Sequence, residues 1–169
     1  MSFGHATVRT EAHRGVRGEG GRAVAIQRMD NVLIVVEDID RMIEFFVELG
    51  MELEGKGPVE GRWVERIIGI DDVREDVAML RTPDGHGKIE LASFHAPKAI
   101  RPEPENAPTN TLGIRRIMFA VDDIDDTIAR LRTHGAELVG TVEQYEQMFR
   151  LCYIRGPEGI IVGLSEEIG

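Results

Sequence analysis

Cysteine is nearly absent: the chain of 169 residues has one, Cys152. A single thiol closes no intrachain disulfide and builds no CxxC metal site. Long apolar stretches are also missing. The run Val32–Val36 ends after five residues, far short of what crosses a bilayer. A basic surplus is lacking too, since 30 acids outweigh 20 bases for a formal charge of −10. That balance argues against a nucleic-acid binder, which needs excess Lys and Arg against phosphate. The first residues carry no apolar core of a secretory signal, so a cytoplasmic protein is expected. Neither a phosphate-binding glycine motif nor a G-x-S-x-G nucleophile elbow occurs. Apolar residues make up 42% of the chain, enough for a sizeable core and too many for a disordered protein.

Charge is unevenly placed. Residues 1–29 hold five arginines against Glu11 and Glu19, a net +3 that leaves −13 on the rest. Gly15, Gly18, Gly20 and Gly21 interrupt any helical or strand period there. The stretch reads as a flexible basic arm over residues 1–28, a solvated tail ahead of a domain that starts near Met29.

The domain is built on a repeat. Val35-Val36-Glu37-Asp38-Ile39-Asp40 returns 85 residues later as Ala120-Val121-Asp122-Asp123-Ile124-Asp125. The same offset relates Gly50-Met51-Glu52-Leu53 to Gly135-Ala136-Glu137-Leu138. Each copy opens with a buried-strand pattern, Val32–Val36 or Ile117–Val121, followed by an acidic turn and a short amphipathic helix. Asp38 or Asp40, and Asp123 or Asp125, suit the helix N-caps, while Gly50 and Gly135 suit the stops. Further strands are expected at Arg62–Ile68, Asp76–Arg81 and Lys88–Phe94, then at Leu138–Val142, Leu151–Arg155 and Ile160–Ser165. The fold class is therefore α+β. A first β-α-β-β-β module over residues 29–95 and a second over 113–169 are joined by a linker over 96–112 that holds Pro97, Pro102, Pro104 and Pro108. Neither half buries its helix and sheet alone, so the two sheets are expected to join side by side.

This doubled strand–Val-x-Asp-Ile-Asp–helix–Leu-Gly pattern resembles the vicinal oxygen chelate superfamily of glyoxalases, bleomycin-resistance proteins and extradiol dioxygenases. The resemblance implies a curved mixed sheet around a cavity, a small-molecule ligand and a homodimer, with no nucleic-acid or membrane partner. Members that use metal take ligands from the first and last strand of each module. Carried over, those positions fall on Asn31, Glu90, Arg116 and Gly163, so only Glu90 keeps the ligand type. An arginine repels a cation and glycine offers no donor, so no metal and no other cofactor is expected. The implied function is a glyoxalase-like enzyme of lyase or isomerase type working without the usual metal. A ligand-sequestering binder like the bleomycin-resistance proteins, or a non-catalytic interaction module, are the alternatives.

Glu90 and Arg116 are the candidate catalytic pair, expected to meet across the cavity, directly or through one water. Asn31, Trp63, Met118, Tyr145 and Phe149 are the candidate ligand-binding residues. By strand parity Lys88, Glu90, Ala92 and Phe94 share one face, with Arg116, Met118 and Ala120 on a facing strand. His86 or His95 with Glu90 is an alternative metal site, although a surface role suits each histidine better. Cys152 reads as a small buried apolar residue.

Overall fold

The computed structural model describes residues 28–169. The basic arm expected over 1–28 lies, apart from Arg28, outside the described residues. The first module runs β1 (Val32–Val35), α1 (Ile39–Leu49), β2 (Glu52–Glu60), α2 (Arg62–Ile68), β3 (Arg74–Arg81) and β4 (Lys88–Ala96). The second runs β5 (Ile117–Ala120), α3 (Ile124–Arg132), β6 (Glu137–Leu138), β7 (Glu143–Tyr145), β8 (Phe149–Arg155) and β9 (Ile161–Glu167), with one 3-10 turn at Pro157–Gly159. The order β1-β4-β3-β2 in one sheet is matched by β5-β9-β8-β6 in the other, with β7 also on β8. Each first strand pairs in parallel with the last strand of its module, and the rest are antiparallel.

The repeat is exact at the level of register. Leu33 lies opposite Glu90, and Met118, 85 residues after Leu33, lies opposite Gly163. Asp38 and Asp123 are the N-caps, each accepting from the amide three residues on, at 3.0 and 2.9 Å. Gly50 stops α1 in the left-handed region at φ 117°. In α3 the stop comes earlier, at Thr133, and Gly135 turns the chain two residues later.

Two expected strands are corrected. Arg62–Ile68 is the helix α2, bounded by Gly61 and Gly69 at positive φ. The strand beside β3 is Glu52–Glu60, whose glycines, proline and charges read as loop. It stands at the sheet edge, where Pro58 needs no second partner, and pairing with β3 outweighs its poor local propensity. Of the strand expected at Leu138–Val142 only Leu138 is extended, at the end of β6, and β7 starts at Glu143; both lie on β8.

The two sheets share no backbone ladder. They are joined by a common core instead. Met42, Phe45, Phe46 and Leu49 of α1 pack in one cluster with Ile124, Ile128 and Leu131 of α3 and with the helix-side residues of both sheets. Those strand residues include Leu80, Ile89 and Leu91 of the first module and Cys152, Ile154, Val162 and Leu164 of the second. A Cβ on Gly156 would come within 2.8 Å of Phe45, so the second module closes directly over the α1 aromatics. Glu158 crosses over as well, accepting the amides of Glu37 and Asp38 at 2.7 and 2.8 Å ahead of α1. No helix among the described residues is long and apolar enough to cross a membrane.

Candidate functional site

Alternation along the strands fixes what the other, open face carries. Since Ile89 and Leu91 point at the helices, Glu90, Ala92 and Phe94 point away from them, beside Leu33 and Val35 of β1 and Val77 and Met79 of β3. In the second module Val162 and Leu164 face the helices, leaving Gly163 with its register partners Met118 and Tyr153 on the open face. Leu33, Val35 and Met118 stay 51%, 47% and 39% exposed there, so this face is not packed shut.

The two candidate catalytic residues do not pair with each other. Glu90 accepts a hydrogen bond from the side-chain amide of Asn31 at 3.0 Å. Arg116 donates through Nε to the Tyr153 hydroxyl at 2.6 Å and lies 5.1 Å over the centre of the Tyr153 ring. The phenol is close enough to hold the guanidinium by hydrogen bond and by its π face together. No carboxylate among the described residues reaches Arg116 within ion-pair distance.

Arg116 stands where three adjoining cavities meet. One, of about 470 Å³, is lined by Thr109, Met118, Thr141, Leu151 and Tyr153 besides Arg116. A second, of about 340 Å³, adds Ile114, Arg115 and Ile161. The third, of about 300 Å³, is the cleft between β1 and β5, with Val32–Val35 on one wall and Arg115–Ile117 on the other. Of the expected ligand-binding residues, Met118 lines this region and Asn31 sits beside it at the head of β1. Trp63 projects from α2, 61% exposed, while Tyr145 and Phe149 are register partners at the β7–β8 turn; none of the three lines these cavities.

Two groups escaped sequence reasoning. Glu75 is 93% buried on β3, between Phe94 and Val59 of the flanking strands. Its carboxylate has no hydrogen-bond partner among the described residues, and burial first and the charge of Glu90 second push its pKa up. The expected strand began one residue later, at Asp76, and so missed it. Arg115 is the other: its Nε is buried with no acceptor among the described residues. The doublet Arg115-Arg116 in an acidic chain was the signal available.

The four positions that the resemblance links to a metal do not suit a divalent cation. The Asn31 amide is turned as a donor toward Glu90, and Arg116 brings a fixed positive charge. The space a side chain on Gly163 would need is filled, with Met118 Cε 2.8 Å from where its Cβ would sit. Nor do the histidines rebuild a site. His95 projects to the opposite face from Glu90 and meets Asp76 at 3.1 Å, and His86 lies in the β3–β4 turn. Among the described residues no three His, Cys, Asp or Glu side chains gather as a cation site. Cys152 is buried in the core and burial pushes its thiol pKa up.

Relatives share this architecture. A crystal structure of a glyoxalase family protein from Bacillus cereus is 52% identical, with a TM-score of 0.83 over 87% of this chain and 98% of that one. The YaeR protein of Escherichia coli (strain K12) is 27% identical over 146 residues, 85% of this chain and 99% of its own length. A glyoxalase/dioxygenase from Nostoc punctiforme, 18% identical with a TM-score of 0.59 over 92% and 99% of the two chains, shares the fold. The model of the Glyoxalase/Bleomycin resistance protein/Dioxygenase superfamily matches residues 28–164, both modules and the segment between them, and the chain belongs to that superfamily.

Proposed function

We propose that this protein seats a small organic anion on the open face of its second module, with Arg116 and Tyr153 as the anchor. The observation that carries the reading is the sign of the lining. Among the described residues no carboxylate lines any of the three cavities around Arg116, in a chain whose acids exceed its bases by ten. A guanidinium with no acidic partner among the described residues, pre-oriented by a phenol, is a ready fork for a carboxylate or phosphate. Met118 and Leu151 supply apolar walls, and Thr109 and Thr141 supply hydroxyls that fix orientation.

The test is chemical-shift mapping on the full-length chain. Phenylacetate should move the amides of Arg116, Met118 and Leu151–Tyr153, and Arg116→Met should abolish the response. Shifts that persist in that variant, or that cluster elsewhere, overturn the reading.

A catalytic role of lyase or isomerase type is the second reading, favoured by the carboxyl groups of the first module. Glu90 is aimed by Asn31, and Leu33, its register partner, lines the same cleft as Arg116. Glu90 would take a proton from the carbon next to a carbonyl of the seated anion. Returned from Glu90 to the neighbouring carbon, that proton would complete an isomerisation. Exchange of substrate C–H for deuterium in heavy water, lost in Glu90→Gln, separates an enzyme from a pure binder. For assembly we infer a homodimer. Trp63 and Ile67 of α2 leave apolar surface exposed, and light scattering should give twice the chain mass.

A further inference from the structure

We infer that the ligand seated at Arg116 carries a dianionic headgroup, a phosphate monoester or a vicinal dicarboxylate, and that Arg115 is the second guanidinium that holds it. The inference rests on the anchor reading above and narrows its substrate class. Arg115 and Arg116 are consecutive, and both line the 340 Å³ cavity and the β1–β5 cleft. Arg115 is tethered through one terminal nitrogen, which donates to the Ala107 carbonyl at 3.2 Å. Its Nε–H is buried with no acceptor among the described residues. Arg155 donates to the same carbonyl at 3.2 Å and to that of Gly159 at 3.1 Å, so another guanidinium stands beside it. None of the three forms an ion pair with a carboxylate among the described residues.

Adjacent like charges with no carboxylate among the described residues to offset them are costly, and one ligand relieves that cost if it brings two negative charges. A monoanion offsets the charge of Arg116 alone and leaves that of Arg115 without a counter-charge. A phosphate or vicinal dicarboxylate has oxygens for both forks. The larger cleft of about 690 Å³ beside Asp122, Asp123 and Asp126 offers no rival, since Asp123 caps α3 and Asp126 pairs with Arg130 at 2.8 Å.

The experiment is calorimetric titration of the full chain at pH 8 with phenyl phosphate, phenylsuccinate and phenylacetate. A dianion should bind at least about tenfold tighter than phenylacetate, and the tighter of the two dianions identifies the headgroup. Arg115→Met should erase the preference, costing the dianions about tenfold more affinity than phenylacetate. Arg115→Lys, which keeps the charge but not the planar fork, should also lower it and serves if the methionine variant does not fold. For phenyl phosphate the preference should fade at pH 5, below its second ionisation near about 6. Equal binding of all three probes overturns the inference and spares the anchor, as does an Arg115→Met loss that is no larger for the dianions. Failure of all three to bind overturns the anchor reading itself, and this inference with it.

Discussion

The two modules carry the same backbone and opposite chemistry. Their first and last strands pair in identical register, their helices start on equivalent aspartates, and the strand–helix junctions repeat one hydrogen bond: Val36 N–H to Ala92 and Val121 N–H to Ser165, both at 2.9 Å. On the open face the match ends. The first module presents Asn31 holding Glu90, with Glu75 buried nearby. At the equivalent sites the second presents Arg116 held over Tyr153, and Gly163 filled by Met118. Helix-side residues answer to a core that both modules share, so they keep size and apolarity. Open-face residues are free of that shared packing constraint, and the two modules differ there.

The largest expected effect tests the shared half of that comparison. Phe45→Ala removes a fully buried ring packed edge-on to Phe46 at 5.3 Å and roofed by Gly156 of the other module. It should cost about 3–5 kcal/mol in denaturant unfolding. Circular dichroism and Trp63 fluorescence should still report one transition, because neither module keeps a core of its own. Two separated transitions would mean independent modules.

A smaller effect sharpens the acidic face. Because burial raises the pKa of Glu75, the folded state holds that proton more tightly than the unfolded chain does. Stability from this group is therefore complete below the ordinary value of 4.5 and declines as pH rises through the folded value. Glu75→Gln should melt higher than wild type at pH 8 and level with it near pH 4. A lower melting point for the variant at pH 8 would show that the ionised carboxylate has a favourable partner.

The smallest effect concerns the pair that does not form. In a double-mutant cycle, Arg116→Met and Glu90→Gln should add to within about 0.5 kcal/mol, whereas Asn31→Ala and Glu90→Gln should couple by about 1 kcal/mol. Strong coupling of Arg116 to Glu90 would restore the ion pair expected across the cavity.

Repeat arithmetic made most of the architecture legible. An offset of 85 placed both first strands and both helices and narrowed each N-cap to two aspartates, since local pattern and tertiary role agree there. It failed where they disagree. Glu52–Glu60 has loop composition and becomes a strand only because β3 offers its edge, and Arg62–Ile68 looks extended until two glycines set it apart as a helix. For the site, parity put Glu90 and Arg116 on the open face. It could not say which neighbour each would take, because that depends on register with Asn31 and on where Tyr153 falls along β8. The aromatic residues Trp63, Tyr145 and Phe149 were grouped by chemistry alone, and the fold sets Trp63 on α2 apart from the Tyr145–Phe149 pair at the β7–β8 turn.

The central claim is that the second module binds anions through Arg116 and Tyr153 without help from a metal. Calorimetric titration of phenylacetate into chelator-treated protein addresses it directly, with wild type, Arg116→Met and Glu90→Gln run side by side. The account predicts saturable binding to wild type, none to Arg116→Met, and equal or tighter binding to Glu90→Gln, which removes a negative charge near the cleft. Binding that appears only after a divalent cation is added back, or that vanishes with Glu90 and survives loss of Arg116, would contradict it.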